Sequence, residues 1–311
     1  MRPNFENFKI IAQDYGFEET IPEKDYWVIY LIKKMSELSL PNGYLVFGGG
    51  TSLVKAHRVI KRFSEDIDFR FITDISLNRS QRSKIKHIIT GYLKTLNPLF
   101  LFDEPEAHNE NTLLFFKLNY PRDERFNKNN ALRPFIKLEI FFSDIHYPPI
   151  KCPLISFYNE YEHLQPEVEF NCVAIEDTAI DKISSLLWRI EVGEYEPTDI
   201  RHLHDVAMLC DKITIDDKFK KTLNVVYNKD IRTRAKSDKE LKVSIDTVTT
   251  NLMENKRYAY DYKNYVSNMS YAPDSDNLSF EQARDKFVQL AEKIAFEPPK
   301  NNTSQAKLGR S

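Results

Sequence analysis

The chain is poor in cysteine, poor in glycine, nearly balanced in charge and free of long apolar runs, and each shortage excludes something. Cys152, Cys172 and Cys210 are its only cysteines, an odd number at wide spacing. That pattern supports neither a disulfide framework nor a Cys-x-x-Cys metal site, and the three read as buried thiols. The formal net charge is −2. No overall bias announces a nucleic-acid partner, although a local basic face is what contacts phosphates. The opening MRPNFENFKI lacks the apolar core of a signal peptide, and no later run approaches membrane-spanning length. The expectation is a cytoplasmic protein with no membrane association. Glycine occurs eight times, and three of those are consecutive, Gly48, Gly49 and Gly50.

What is present fits a soluble globular protein: 41% hydrophobic and 13% aromatic residues in a chain of 311. That length favours two domains over one or three.

Two helical patterns open the chain. The second, PEKDYWVIYLIKKMSEL, starts at Pro22 and carries Trp27, Tyr30, Leu31, Met35 and Leu38 at helical spacing. Pro41-Asn42-Gly43 ends it, Tyr44 to Phe47 reads as a strand, and TSLVKAHRVI behind the glycines returns to a helical pattern. DIDFRFI, from Asp66 to Ile72, alternates as a strand does, and a helix is expected from about Ser80 to Leu96. TLLFFKLNY and RPFIKLEIFF are strongly β-patterned and flank a polar, turn-rich hairpin loop. One helix-flanked sheet of about four or five strands accounts for residues 1–150. Beyond Pro148-Pro149 the texture changes, and from about Glu176 the chain reads as helix after helix. The boundary falls between 150 and 175, and the expected division is 1–160, a helical domain at 161–296 and a disordered tail at 297–311.

Asp66 and Asp68 lie two apart in a strand pattern, so they share a face. Adjacent carboxylates repel unless a cation sits between them, and magnesium, which prefers oxygen ligands, is the usual solution. Standing alone, Asp-x-Asp reads first as a solvated strand end. The glycines add to it: a glycine turn opening a helix lets backbone N–H groups approach an anion, and Thr51 and Ser52 place hydroxyls at the same spot. GGGTS is not a Walker A loop, and no dinucleotide fingerprint is present. Phosphoryl transfer with two metals wants a third acid. Glu139, charged amid the apolar FIKLEIF, is the candidate, with an edge-strand position as its alternative reading.

These segments resemble the AbiEii/AbiGii family, nucleotidyltransferase-like toxins of the polymerase-beta-type superfamily that includes the MenT toxins. The resemblance is carried by Gly49-Gly50-Thr51-Ser52-Leu53, by Arg62-Phe63-Ser64-Glu65-Asp66-Ile67-Asp68-Phe69, and by Lys137-Leu138-Glu139-Ile140. It continues through Glu176-Asp177-Thr178-Ala179-Ile180-Asp181-Lys182-Ile183 and Asp199-Ile200-Arg201-His202-Leu203-His204-Asp205-Val206, so it spans roughly residues 45–210. It implies an α+β fold, a nucleotidyltransferase-type mixed sheet flanked by helices and followed by a helical domain that completes the site. It also implies that Lys182 reaches the phosphates of a nucleotide and that Arg201 and Asp205 belong to the site. His202 stands where the family usually has an acid, which leaves that position's role open. From its residues alone Lys182 reads as a solvated lysine beside an apolar helix face.

The expected reaction is nucleotidyl transfer. Asp66, Asp68 and Glu139 would hold magnesium or manganese, while Gly49, Gly50, Thr51, Ser52, Lys182 and Arg201 would bind the nucleoside triphosphate. The proton acceptor is Glu139 or Asp205. An RNA acceptor, the tRNA 3′ end, would need a basic and partly aromatic groove. Lys55, His57, Arg58, Lys61 and Arg62 supply charge beside the site, and KRYAYDYKNY offers tyrosines, though it also reads as a helix packing face. A protein hydroxyl acceptor, a phosphohydrolase and a nucleotide-binding module without turnover are the alternatives. The resemblance further implies a cognate antitoxin.

Overall fold

The computed structural model describes residues 3–16, 18–102, 106–108, 112–126, 132–267, 270–271 and 276–295. The expected tail at 297–311 lies outside them.

The first half runs α1 (Phe5–Tyr15), α2 (Ile21–Ser36), β1 (Tyr44–Gly48), α3 (Gly49–Lys55), β2 (Ile67–Ile72), α4 (Arg79–Thr95), β3 (Glu106–His108), β4 (Leu113–Leu118), β5 (Ile136–Phe141), β6 (Ile150–Leu154), α5 (Phe157–Tyr161) and β7 (Val168–Cys172). The second half is helical: α6 (Ile175–Glu191), a short 3-10 turn at Pro197–Asp199, α7 (Ile200–Leu209), α8 (Asp217–Thr233), α9 (Leu241–Glu254), α10 (Arg257–Tyr265) and α11 (Phe280–Ala295). This is the α+β arrangement the sequence implies, a mixed sheet flanked by helices and then a helical half.

Local chemistry sets the helix ends. Asn4 caps α1 and Asn78 caps α4, each in a reciprocal box with the residue three positions on, and Gly16 closes α1 in the left-handed conformation at φ 70°. Pro22 sits in the first turn of α2, where its missing N–H costs nothing.

Among the described residues the sheet has seven strands, in the order β3-β4-β5-β2-β1-β7-β6. Five of them, β1 to β5, precede residue 150, in line with the four or five expected for residues 1–150, and β7 and β6 extend the sheet at one margin. β6 and β7 follow Pro148-Pro149, and β6 contains Pro153. A proline in a strand is tolerated at a sheet edge, and β6 is one edge of this sheet. Residue 160, the expected boundary, falls in α5, between two strands of the sheet: β7 lies parallel to β1, with Cys172 opposite Phe47, and the run of helices begins at Ile175.

Alternation along the central strands decides where the acids point. Ile67, Phe69 and Phe71 of β2 and Ile136, Leu138 and Ile140 of β5 enter one core with α2 and α4. Burying each such side chain is worth about 1.5–3 kcal/mol. Asp68 and Arg70, and Lys137 and Glu139, are left to the opposite face. A second core gathers the C-terminal helices and takes in Leu53 and Val54 of α3. The helix behind the glycines is thus packed against the helical half, which brings that half to the acid face of the sheet. No helix among the described residues is long and apolar enough to cross a membrane.

Candidate active site

Register brings the acids together. Gly48 lies opposite Asp68 across the antiparallel β1/β2 pair, and Asp68 lies opposite Glu139 across the parallel β2/β5 pair. Asp66 immediately precedes β2. Burial, Glu139 and Asp66 push the Asp68 carboxyl up to about 8, against the pull of Lys137 and Lys182. Burial and the two neighbouring acids thus oppose a further full negative charge at Asp68.

The glycine turn is fitted to this cluster. Gly49 has φ 71°, and a Cβ there would overlap the Asp68 carboxylate, so only glycine lets the chain pass so close. At Gly50 a Cβ would stand 3.0 Å from Ser64 Oγ, 3.4 Å from an Arg62 guanidinium nitrogen and 3.8 Å from Lys182 Nζ. Backbone, lysine and arginine thus converge on one small space. The hydroxyls of Thr51 and Ser52 do not join them. Both residues are buried. Ser52 Oγ donates to the Gly49 carbonyl at 2.9 Å, and Thr51 Oγ1 bonds Ser64 Oγ at 3.0 Å and donates to the Asp66 carbonyl. The structure gives them the work of shaping the turn and the approach to β2.

The helical half contributes Lys182 from α6 and Asp205 from α7. Lys182 is not solvated: it is buried, with Nζ 2.7 Å from Asp205. Asp205 is wholly buried and also accepts two bonds from Arg62, Nε at 2.9 Å and Nη2 at 2.6 Å, with His204 Nδ1 3.2 Å away. Burial alone would raise its pKa, but Arg62 and Lys182 outweigh it and hold the carboxyl well below the usual range. So held, Asp205 is a poor proton acceptor, and of the two candidates Glu139 is the better placed. Arg201 donates from Nε to the Thr198 carbonyl at 3.1 Å and is close enough to Arg62, Asp66 and Asp205 to feel their charges. Burial and Lys182 hold His202 well below the usual histidine value, so it is neutral.

Several partners were not legible from motifs. Arg70, two residues beyond Asp68, ion-pairs with Asp181 next to Lys182, and its other terminal nitrogen donates to the Asp144 carbonyl at 2.7 Å. Arg133 ion-pairs with Asp66, and Lys137 Nζ lies 2.8 Å from Glu139. Lys24, from the first turn of α2, is fully buried against Glu65. The signal that was available is a run of three charges, Glu23-Lys24-Asp25, directly ahead of the apolar and aromatic run Tyr26 to Ile32.

A divalent metal is a fair test of these side chains. Among the described residues no group of three or more His, Cys, Asp or Glu is arranged to hold one. Asp66 is turned to Arg133 and Glu139 to Lys137, which accounts for this. The donor chemistry nevertheless fits: carboxylate oxygens from adjoining backbone positions, with Asp68 raised by burial and then by Glu139 and Asp66.

The expected basic flank is mostly spent internally. Lys55 is buried 2.6 Å from Asp25, Arg62 is held by Asp205, and burial lowers the pKa of His57. Arg58 and Lys61 remain exposed, near Glu160 and Asp276 respectively. In α10, Tyr258 and Tyr262 pack into the helical core while Tyr260 is exposed.

The family profile described as "Nucleotidyl transferase AbiEii toxin, Type IV TA system" matches residues 34–295. The chain belongs to this AbiEii family. Its fold is also similar to that of a solved structure, the nucleotidyltransferase toxin MenT4 of Mycobacterium tuberculosis H37Rv. The TM-score is 0.55 at 12% identity, covering 94% of this chain and 89% of that one. No curated protein sequence matches. The chain is thus an AbiEii nucleotidyltransferase toxin, and the acid and glycine segments both lie within the matched residues.

Proposed function

We propose that this AbiEii-family toxin transfers a nucleoside monophosphate from a nucleoside triphosphate to a hydroxyl of RNA, the tRNA 3′ end, and is restrained by a cognate antitoxin. The observation that carries this reading is the convergence of Lys182, Arg62 and the bare backbone at Gly50, directly beside the carboxylates of Asp68 and Glu139.

Lys182 and the backbone N–H groups of the glycine turn receive the phosphates. The acceptor oxygen attacks the α-phosphorus, the bond from that phosphorus to the bridging oxygen breaks, and pyrophosphate leaves with the electron pair. Glu139 takes the hydroxyl proton; its side chain is on the Asp68 face and retains some exposure. Magnesium or manganese held by Asp68, Glu139 and Asp66 would neutralise triphosphate charge and make the acceptor hydroxyl more acidic. Arg62 and Asp205 hold Lys182 in place, and Arg58 and Lys61 are the cations an RNA backbone would meet first.

The test is incubation of purified protein with total tRNA, a divalent ion and each nucleoside triphosphate labelled at the α-phosphate, beside the Asp68→Asn variant. Label on tRNA that depends on Asp68 supports the reading. Label on a protein instead overturns the RNA acceptor, and release of nucleoside monophosphate without labelled macromolecule overturns transfer in favour of hydrolysis.

A further inference from the structure

We propose that Arg133 is a resident competitor for the divalent ion at Asp66, occupying that carboxylate until metal and nucleotide arrive and then turning to the nucleotide's phosphates. The inference rests on the metal-dependent reading above and assigns a positioning role to a residue outside the motif segments.

Three features of its surroundings carry it. The first is anchorage: Lys24 Nζ donates to the Arg133 backbone carbonyl at 2.6 Å from a wholly buried position. The main chain of Arg133 is thereby pinned beside the acids while its side chain, 39% exposed, is left able to swing. Arg62, another arginine at the site, is 3% exposed and locked by two bonds, so it offers no such freedom.

Charge accounting is the second. Arg133 faces two carboxylates, the directly paired Asp66 and the more distant Glu65 at 3.8 Å. Glu65 is already neutralised by Lys24. Departure of Arg133 would consequently leave Asp66 without its direct ion-pair partner, with only the more distant charges of Arg201 and Lys24 acting on it, and Asp66 is the oxygen donor a divalent ion would take.

The third is chemistry. A guanidinium released from a carboxylate but tethered beside it can turn its planar fork of N–H donors to the oxygens of a triphosphate. One side chain would in this way suppress carboxylate repulsion in the free protein and add a phosphate contact in the loaded one. Lys137 stands in the same relation to Glu139, at 2.8 Å, but is less exposed.

The experiment is Mn²⁺ titration of the full-length chain without nucleotide, following the EPR signal of the free ion, for the wild type, Arg133→Gln, Arg133→Lys and Asp66→Asn, each checked for native circular dichroism. Severalfold tighter Mn²⁺ binding by Arg133→Gln, near-wild-type binding by Arg133→Lys and weakened binding by Asp66→Asn are expected. Equal affinity in the wild type and Arg133→Gln, with Asp66→Asn impaired, overturns the competitor role and leaves the metal reading standing. Binding by no variant, or full binding by Asp66→Asn, overturns the metal assignment itself.

Discussion

Arg62 and Asp205, 143 positions apart, form a buried two-bond ion pair that joins the glycine-and-acid segment to the helical half. Lys182 shares the same carboxylate, so its position depends on both partners. Removing Arg62 leaves the buried Asp205 carboxylate to Lys182 and without its two-pronged partner, and Arg62→Ala should cost up to about 3 kcal/mol in urea unfolding and abolish transfer. Arg62→Lys keeps the charge but loses the two-pronged geometry, so it should fall between. The pH dependence follows from the depressed Asp205 carboxyl. Its contribution is complete above the unfolded value of about 3.9 and is lost as pH falls from there toward the folded value. Wild-type stability should drop below about pH 4 more steeply than that of Arg62→Ala; parallel curves would show that the pair does not set the slope.

Asp68 has the opposite sign. Its carboxyl is raised to about 8, so the folded chain binds a proton that the unfolded chain has already released. Stability from this group is complete below about pH 3.9 and declines as pH rises through the folded value. In chelator-treated protein, Asp68→Asn should raise the melting temperature at neutral pH, and the gain should grow up to about pH 8. A variant that melts lower than wild type across this range would contradict the crowding of acids described here.

Ser52 provides a sharper contrast between stability and catalysis. Its hydroxyl is buried and bonded to the Gly49 carbonyl. Ser52→Ala should therefore lose about 1 kcal/mol of stability while leaving the KM for nucleotide close to wild type. A large rise in KM with unchanged stability would return Ser52 to the role of phosphate ligand.

The sequence pattern was sufficient wherever local periodicity carried the information. Alternation in IDFRFI and IKLEIF placed Asp68 and Glu139 opposite the buried Phe69, Leu138 and Ile140, as found. It was insufficient wherever a charge is neutralised by a residue far along the chain. Lys55 and Arg62 counted equally with Arg58 and Lys61 as basic residues, yet the first two are buried on Asp25 and Asp205 and the last two are exposed. The direction of a hydroxyl in the first turn of a helix was equally hidden, since Thr51 and Ser52 turn inward because α3 packs into the helical core. Short strands such as β6, with alternate positions exposed and a proline inside, carry too little apolar pattern to be read as part of the sheet.

The neighbouring glycines should not respond alike to the same substitution. At Gly49 an alanine meets two obstacles at once, a left-handed backbone at φ 71° and the Asp68 carboxylate in the space its Cβ would need. The backbone conformation costs about 1–2 kcal/mol for a residue with a Cβ, and the overlap forces Asp68 away from its place opposite Glu139. Gly50 has no such conformation to maintain, and the nearest atom to its Cβ would be the movable Ser64 hydroxyl at 3.0 Å. Gly49→Ala should accordingly lower both stability and kcat, because the carboxylate it displaces is central to the chemistry. Gly50→Ala should fold nearly as well as wild type and lose nucleotide affinity, because its methyl group fills the space between backbone and Lys182 where a phosphate would sit. Thermal melts and steady-state kinetics on the two variants distinguish these outcomes, and a Gly50→Ala enzyme with unaltered KM would remove the glycine turn from the nucleotide site.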